Sequence, residues 1–208
     1  MEYAFELVFI DDKSTDSTVE KLKINKLNSK LSIKIIQNEK NVGPGGSRNI
    51  GISESSGEYI TFLDSDDTFS DDYFDEIMPL LSQNYDIIVH DAQLTYDNKP
   101  SKHYPMFTID MDEGLLEKKK ALVFINGCTW GKVYKKALIK HINIEFLNIK
   151  RNEDTPFTKI AIDSATNKCC YHGNCDYWCK TVSKQSDIKM RVMRKYWSLF
   201  LHWVNDNI

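Results

Sequence analysis

Three aspartates stand close together after a short apolar run in the first third of the chain. The run covers residues 59–63, YITFL, and Asp64, Asp66 and Asp67 follow it at once. Carboxylates spaced as Asp-x-Asp repel one another unless a positive group lies between them. A divalent cation such as Mg²⁺ or Mn²⁺ fits that place, because it takes oxygen ligands and can keep positions for phosphate oxygens. The alternative interpretation is a solvated acidic turn that caps the next helix.

The run before these aspartates predicts a strand that is buried on both faces, as the strands of parallel sheets are. The aspartates would then emerge at the carboxyl end of the strand, where open α/β sheets bind ligands. A second acidic pair, Asp11 and Asp12, follows another apolar run over residues 5–10, FELVFI, which also predicts a strand. The sequence therefore predicts acidic side chains at the carboxyl ends of two strands.

The first 91 residues alternate between patterns typical of strands and patterns typical of helices. Strands are predicted over residues 5–10, 31–37, 58–63 and 86–90. Helices are predicted after a cap at Ser17, over residues 46–56, and after a cap at Ser70 through Leu81. A glycine-rich loop, NEKNVGPGGSR, is predicted over residues 38–48. This alternation is an α/β signature, and it predicts a doubly wound sheet flanked by helices, with right-handed crossovers.

The remaining residues are predicted to form the second half of the same domain. They predict a hairpin or excursion over residues 92–108, a helix over residues 112–124, a small pair of strands over residues 168–182 and a terminal amphipathic helix over residues 187–205. Between these elements, Pro156 predicts a helix that begins at that residue and is capped by Thr155 or Asp154.

Composition and charge narrow the functional classes. Hydrophobic residues make up 41% of the chain and charged residues 27%, which is typical of a globular protein. A net charge of -3 gives no reason to expect a nucleic-acid partner. No apolar run reaches the roughly 18 residues that cross a bilayer, and the first residues do not resemble a signal peptide. The expected compartment is the cytosol, with peripheral association at the inner face of the cell membrane left open.

Four of the five cysteines crowd into one short stretch. Cys169, Cys170, Cys175 and Cys179, together with His172, could suggest zinc. Their spacing is C-C-x-H-x2-C-x3-C instead of two separated C-x2-C pairs, so several ligands would crowd one another. We therefore expect reduced thiols in a strand pair, with a structural zinc site as the alternative.

Four sequence blocks together resemble the bacterial family 2 glycosyltransferases, which have the GT-A fold. The blocks are VFIDDKSTDST, NVGPGGSRNIGISESSGEYITFLDSDD, CTWGKVYKK and NEDTPF, and they occur in the family's order between residue 5 and about residue 160. The resemblance implies a nucleotide-sugar-binding half over residues 1–91 and an acceptor-side half over residues 92–208. Members of the family usually open with one more strand and helix than this sequence shows.

The resemblance also implies roles for individual residues in donor binding. Asp11 and Asp12 resemble the pair that contacts the base and ribose of a nucleoside-diphosphate sugar, as carboxylates accept well from an imide N–H or a hydroxyl. Asp64 would lie near the ribose and the metal, and Asp66 would bind the Mg²⁺ or Mn²⁺ that bridges the pyrophosphate. Arg48 stands where the family has an arginine near the nucleotide; its alternative role is to pair with an acid at the end of a strand.

On the acceptor side, the resemblance implies that Asp154 is the base that deprotonates the acceptor hydroxyl, with Glu153 as its neighbour or substitute. Asp154 could instead only cap the helix that follows it. Trp130 would form part of the acceptor site, unless it is a core tryptophan. The implied function is an inverting, metal-dependent transfer of sugar to a glycan or lipid-linked glycan, in the assembly of cell-surface polysaccharide or glycolipid.

Two other functions stay open at this level. One is a glycosyltransferase remnant that binds nucleotide sugar but is catalytically silent. The other is a phospho-receiver-like signalling domain, which would account for Asp11, Asp12 and Asp64 but not for the glycine-rich NVGPGGSRN segment.

Overall fold

The computed structural model describes residues 5–27, 32–96, 99–149, 151–166 and 169–180, and for a few of these, including residues 174–180, it describes only the backbone. The predicted terminal helix over residues 187–205 lies outside the described residues. The strands are β1 (Glu6–Asp11), β2 (Ser32–Gln37), β3 (Tyr59–Thr61), β4 (Thr68–Phe69), β5 (Ile87–Tyr96), β6 (Lys99–Tyr104), β7 (Gly114–Leu116), β8 (Lys132–Lys135) and β9 (Cys169–Lys180). The helices are α1 (Thr18–Leu27), α2 (Gly43–Glu54), α3 (Tyr73–Leu81), α4 (Lys118–Phe124), α5 (Lys136–Ile142) and α6 (Asp154–Ser164).

The described strands form two sheets. Strands β1 and β2 pair in parallel as a two-stranded sheet, and the larger sheet has the order β3-β8-β5-β9-β4, with β6 on β5 and β7 on β9. In the larger sheet β5 and β9 are parallel, whereas the other pairs are antiparallel. A mixed sheet flanked by helices confirms the predicted α/β fold class. Among the described helices, none is both long enough and apolar enough to cross a membrane.

The strand that precedes the aspartates is shorter than predicted and differs in its partner. It covers only Tyr59–Thr61, its side chains are half-buried, and its described pairing is antiparallel with β8. Leu63 lies beyond the sheet and is 47% exposed. The prediction of a strand buried on both faces in a parallel sheet was therefore wrong. The chain leaves the sheet early because it bends into a turn, in which the Asp67 amide donates to the Asp64 carbonyl at 3.0 Å.

The glycine-rich segment is mostly helical. Helix α2 begins at Gly43, three residues before the predicted helix start at Gly46 and inside the segment predicted as a loop. Pro44 lies in the first turn, where its missing N–H is not needed. Gly45 is buried, and a Cβ atom there would lie 2.8 Å from the Leu147 carbonyl oxygen. The glycines therefore bring the start of α2 close to residues 146–147.

Two further boundaries differ from the prediction, and one predicted element is confirmed. Helix α3 begins at Tyr73, and its N-cap residue is Asp72 instead of the predicted Ser70. The helix predicted over residues 112–124 is strand β7 followed by α4, because Gly114 has φ +117° and the next residues pair with β9. The predicted hairpin over residues 92–108 is confirmed by the antiparallel pairing of β5 and β6.

The last described element is one strand, so the predicted pair of short strands was wrong. Strand β9, Cys169–Lys180, instead continues along β5 over its whole length. The pairing register shifts between His90 and Ala92, where the partner changes from His172 to Tyr177. The register shift accommodates the intervening residues without ending the strand.

A cluster of aromatic side chains links the segments that carry the predicted site residues. Phe146 and Phe157 stack at 4.0 Å between ring centroids, and Phe62 packs edge-on against both. Phe62 stands two positions before Asp64, and Phe157 three positions after Asp154. Burial of these rings therefore fixes the distance between the turn over residues 64–67, here called the aspartate turn, and the start of α6.

Candidate active site

Arg48 joins the two acidic segments that the sequence predicted to be functional. From α2, its Nη2 atom donates to Asp64 Oδ1 at 2.9 Å and its Nη1 atom donates to Glu153 Oε1 at 2.6 Å. The Arg48 side chain is 15% exposed and that of Glu153 8%, so this ion pair is largely desolvated. The guanidinium carbon also lies 5.5 Å from the centre of the Phe146 ring. The predicted pairing of Arg48 with an acid at a strand end is thus observed.

The two carboxylates keep Arg48 charged. Burial alone would lower the pKa of the guanidinium, but the charges of Asp64 and Glu153, and their hydrogen bonds, raise it. Asp64 is more exposed than Glu153, so one side of the arginine faces solvent. Arg48 is therefore a fixed cation beside the aspartate turn.

Asp154 lies at the start of α6 and next to Glu153. Burial raises the pKa of the Asp154 carboxyl and the neighbouring charge of Glu153 raises it further, whereas Arg48 and Lys132 oppose this. A carboxyl with a raised pKa accepts a proton more readily than an ordinary aspartate does.

The start of α6 differs from the sequence prediction. Helix α6 begins at Asp154, its N-cap residue is Glu153, and no side-chain cap hydrogen bond is present there. The predicted start at Pro156 with a cap from Thr155 or Asp154 was therefore wrong.

The aspartate turn offers oxygen ligands for a cation but is not a complete cage. Asp64 is partly exposed and Asp66 is exposed. Among the described side chains, no group of three or more histidine, cysteine or acidic residues is placed to hold a metal ion. Two solvent-facing carboxylates fit a Mg²⁺ or Mn²⁺ ion that takes its remaining ligands from phosphate and water.

Cys128, Cys169 and Cys170 are free thiols, and the side chains of Cys175 and Cys179 lie outside the described part of the chain.

Asp11 and Asp12 differ in what they bind. The Asp12 carboxylate accepts from the backbone N–H groups of Val42 and Gly43, both at 2.8 Å, and from Asn38 Nδ2 at 2.9 Å. Burial would raise the pKa of Asp12, but these hydrogen bonds lower it. Asp12 therefore stabilises the entry to α2.

Asp11 keeps an acceptor atom for a ligand. It is 5% exposed, and its Oδ2 atom accepts from the Ser14 amide at 3.2 Å. Its Oδ1 atom is buried and has no hydrogen-bond partner among the described residues. Because an orphaned buried acceptor costs free energy, this oxygen is suited to a donor group from outside the chain.

Trp130 belongs to a turn that leads into β8. Its ring lies 5.5 Å from that of Tyr104, on the β5–β6 hairpin, and Tyr104 accepts a hydrogen bond from Asn126. Both aromatic side chains are half-buried and pack against the main hydrophobic core. The hairpin and the turn thus share one surface.

The structure brings some predicted residues together and leaves others apart. Arg48, Asp64, Glu153 and Asp154 form one charged cluster, whereas no hydrogen bond or ion pair among the described residues joins Asp11 or Asp66 to it. The sequence interpretation missed the hydrogen bond that the Asn38 side chain donates to Asp12, although the position of Asn38 directly after β2 was a usable signal. It also missed Tyr104, for which the sequence held no signal.

Known proteins resemble this chain in sequence and in fold. The family model described as glycosyl transferase family 2 matches residues 1–142. A poly(ribitol-phosphate) beta-N-acetylglucosaminyltransferase, TarS of Staphylococcus aureus strain Mu50, is 29% identical over 157 residues, which cover 74% of this chain and 26% of that protein. A GalNAc(5)-diNAcBac-PP-undecaprenol beta-1,3-glucosyltransferase of Campylobacter jejuni is 27% identical over 144 residues, which cover 68% of this chain and 46% of that protein.

A solved structure shows the same fold. The crystal structure of S. aureus TarS 1-349 in complex with UDP-GlcNAc matches with a TM-score of 0.72 and 25% identity, and it covers 87% of this chain and 51% of that chain. This likeness confirms the predicted GT-A-type fold. This chain spans at most about half the length of each of these proteins. Because the family model covers 142 of the 208 residues, the chain belongs to glycosyl transferase family 2.

Proposed function

We propose that this chain transfers a sugar from a nucleoside-diphosphate sugar to a hydroxyl acceptor, with inversion at the anomeric carbon. The observation that carries the proposal is the bridge from Arg48 to both Asp64 and Glu153, which joins the aspartate turn to the segment of Asp154. Family membership supports a glycosyltransferase over the receiver-domain interpretation.

The donor would bind along the carboxyl ends of β1 and β3. Asp11 would accept from the base through its buried Oδ1 atom, and Asp12 would hold the entry to α2 in place. Asp66 and Asp64 would hold Mg²⁺ or Mn²⁺, which when bound supplies positive charge to the leaving diphosphate. A uridine nucleotide is the first candidate, because TarS has been crystallised with UDP-GlcNAc.

The transfer step uses Asp154 as general base. Its carboxylate accepts the proton of the acceptor hydroxyl while the hydroxyl oxygen forms a bond to the anomeric carbon. The bond from that carbon to the diphosphate oxygen breaks, and its electron pair leaves with the nucleoside diphosphate. One carboxylate that removes a proton, without a second that attacks the sugar, gives a single displacement and therefore inversion.

The acceptor would lie against Trp130 and Tyr104. Flat aromatic faces suit the apolar side of a sugar ring, and both rings lie on the surface shared by the hairpin and the turn. The names of the two relatives, a poly(ribitol-phosphate) transferase and an undecaprenol-linked glycan transferase, favour a glycan or lipid-linked glycan acceptor. Assembly of cell-surface polysaccharide or glycolipid, with peripheral association at the inner membrane face, is part of this proposal.

The test is the release of UDP from UDP-GlcNAc and other UDP-sugars with water as acceptor, together with thermal shifts measured with and without Mn²⁺. We expect a Mn²⁺-dependent rise in melting temperature with UDP and slow UDP release. Arg48→Met should abolish both, whereas Lys34→Met, which removes an exposed ion pair with Glu54, should preserve them. The absence of any nucleotide-dependent shift in the parent protein would refute the proposal.

A second candidate function is nucleotide-sugar binding without transfer. It is favoured by one observation: among the described strands, β1 and β3 belong to different sheets, so the Asp11 and Asp64 segments are not joined by backbone pairing. Saturable nucleotide binding without UDP release, with and without glycan acceptors, would support this second function over the first.

A further inference from the structure

Lys132 is a lysine without solvent contact. It is the first residue of β8 and is 0% exposed. Its Nζ atom donates to the Cys128 carbonyl oxygen at 2.7 Å and lies 3.5 Å from the Trp130 carbonyl oxygen. Two sulfur atoms complete its surroundings, Met106 Sδ at 3.4 Å and Cys128 Sγ at 3.7 Å.

This environment is a costly one for a charged side chain. Among the described residues, no carboxylate or C-terminal oxygen lies within 4.0 Å of Lys132 Nζ, as no salt bridge of this lysine is found. Burial lowers the pKa of Lys132, and it raises the pKa of the Cys128 thiol to about 11, so the thiol does not supply a compensating negative charge near neutral pH. An apolar side chain of similar volume would avoid this desolvation cost. Stability alone therefore does not explain a lysine here.

The two carbonyl contacts fix the turn that presents Trp130. Both accepting oxygens belong to this turn, residues 127–131, which ends at Gly131 with φ +69°. A Cβ atom on Gly131 would lie 2.7 Å from Met106 Cε and 2.9 Å from the His90 carbonyl oxygen, so the backbone is held tightly on both sides. Lys132 thus supports the turn from inside while Trp130 packs against Tyr104 on the surface.

The same ammonium acts electrostatically on Asp154. Asp154 is influenced by Glu153 from its own helix, by Arg48 from α2 and by Lys132 from β8. The Cys128 thiol and the Tyr134 phenol also lie near Asp154, but burial raises the pKa of both groups far above neutrality. Glu153 disfavours the ionised form of Asp154, whereas Arg48 and Lys132 favour it.

We propose that Lys132 is a positioning residue for the transfer reaction: one buried ammonium both holds the turn that presents Trp130 and provides positive charge to Asp154. The proposal rests on the proposed function, in which Asp154 is the base. It extends that function, because it connects the acceptor surface and the base through a side chain that itself touches neither substrate.

The test compares Lys132→Met with Lys159→Met. Lys159 is a second buried lysine and lies on α6, where it donates to the carbonyls of Leu122 and Ile125. The ¹³C carboxyl resonance of Asp154, assigned by its absence in Asp154→Asn, is titrated in each protein. We expect Lys132→Met to raise the titration midpoint of Asp154 by at least about half a pH unit, and Lys159→Met to leave it unchanged.

Two further readouts separate positioning from a merely structural role. In Lys132→Met the indole ¹H–¹⁵N signal of Trp130 should shift or broaden, and UDP release from UDP-GlcNAc should fall at least tenfold while the affinity for UDP changes less than threefold. The free energy of unfolding should stay the same or rise, because a buried charge is replaced by an apolar group. Lower stability with an unchanged Asp154 midpoint and an unchanged Trp130 signal would overturn the proposal.

A second variant covers the case in which Lys132→Met does not fold. Lys132→Gln keeps a donor for the Cys128 carbonyl but removes the charge, so the Asp154 midpoint should rise while the Trp130 signal stays close to that of the parent. An unchanged midpoint in this variant would also refute the electrostatic part. The titration requires no turnover, so it tests the electrostatic part independently of the proposed reaction. If Asp154→Asn released UDP at the parent rate, that result would refute Asp154 as the base but would not affect the titration.

Discussion

Arg48 and Glu153 are 105 positions apart in the sequence, yet Nη1 of the arginine lies 2.6 Å from Oε1 of the glutamate. Their ion pair connects α2 to the start of α6, and Arg48 also donates to Asp64 at the aspartate turn. The residues proposed for donor binding and for proton transfer are thereby fixed relative to one another before any substrate binds, which is what preorganisation of a reaction requires.

Removal of Arg48 should destabilise the protein strongly. Arg48→Ala leaves the buried Glu153 carboxylate without its partner, and loss of one member of a buried pair costs about 3 kcal/mol or more of the free energy of unfolding. Urea unfolding measures the difference. Lys34→Ala is the control, because its ion pair with Glu54 is exposed on both sides and should contribute less than about 1 kcal/mol. Equal losses in the two variants would contradict the role given to Arg48.

Asp12 should make part of the stability depend on pH. Its hydrogen bonds lower the pKa of the folded state below the unfolded value of about 3.9, so its contribution is present above that pH and is lost as the pH falls through the folded pKa. Asp12→Asn lacks this contribution at every pH, since the amide cannot accept from both Val42 and Gly43 as a carboxylate does. The stability difference between parent and variant should be largest near pH 7 and shrink below about pH 4. A difference that stays constant down to pH 2 would argue against this account.

Chelation should weaken nucleotide binding. If Asp66 holds a divalent cation jointly with the diphosphate, the affinity for UDP should fall at least tenfold in chelator, about 1.4 kcal/mol. Asp66→Asn should reproduce most of that loss in calorimetry with Mn²⁺ present. Asp71→Asn, a substitution at an exposed aspartate of the following segment, should bind UDP like the parent. Equal affinity with and without metal in the parent protein would remove the metal role.

The order of elements was largely predictable, because local signals specify it. Asp11 ends β1, Asp12 follows it, and Asp64 comes soon after β3. The β5–β6 hairpin lies in the segment where a polar and aromatic pattern predicted it. The partner of β3 was not predictable in this way. Strand β8 comes from more than 70 positions later and inserts between β3 and β5. The residue pattern of a short strand does not indicate which distant strand will pair with it.

The chemistry of the site was predictable only as a set of residue types. The sequence left two roles open for Arg48. The ion pairs show that it contacts Asp64 and Glu153 together, and the packing of α2 against residues 146–147 places it there. Lys132 could not be recognised as buried, since lysine in a strand is ordinarily solvated. Which nucleotide and which acceptor bind depends on surfaces that several distant segments build together, and residue spacing does not encode them.

Asp154 should be essential for turnover but not for donor binding. Asp154→Asn keeps the size of the side chain and removes its ability to accept a proton, so UDP release from UDP-GlcNAc should fall by roughly 10² to 10⁴-fold, while donor affinity should stay within a few-fold. Asp163→Asn, at an exposed position of the same helix, is the matched control and should retain parent activity.

The stereochemistry gives an independent check on the role of Asp154. With one base and no carboxylate nucleophile, the acceptor oxygen attacks opposite the leaving diphosphate, so sugar released to water should first appear with the anomeric configuration opposite to that of the donor. Proton NMR recorded before mutarotation reports this configuration. Retention of the donor configuration, or parent-level UDP release by Asp154→Asn, would show that the reaction proceeds without Asp154 as its general base. Loss of activity in Asp154→Asn, together with inversion by the parent protein, would instead assign the proton transfer to the Asp154 carboxylate at the start of α6.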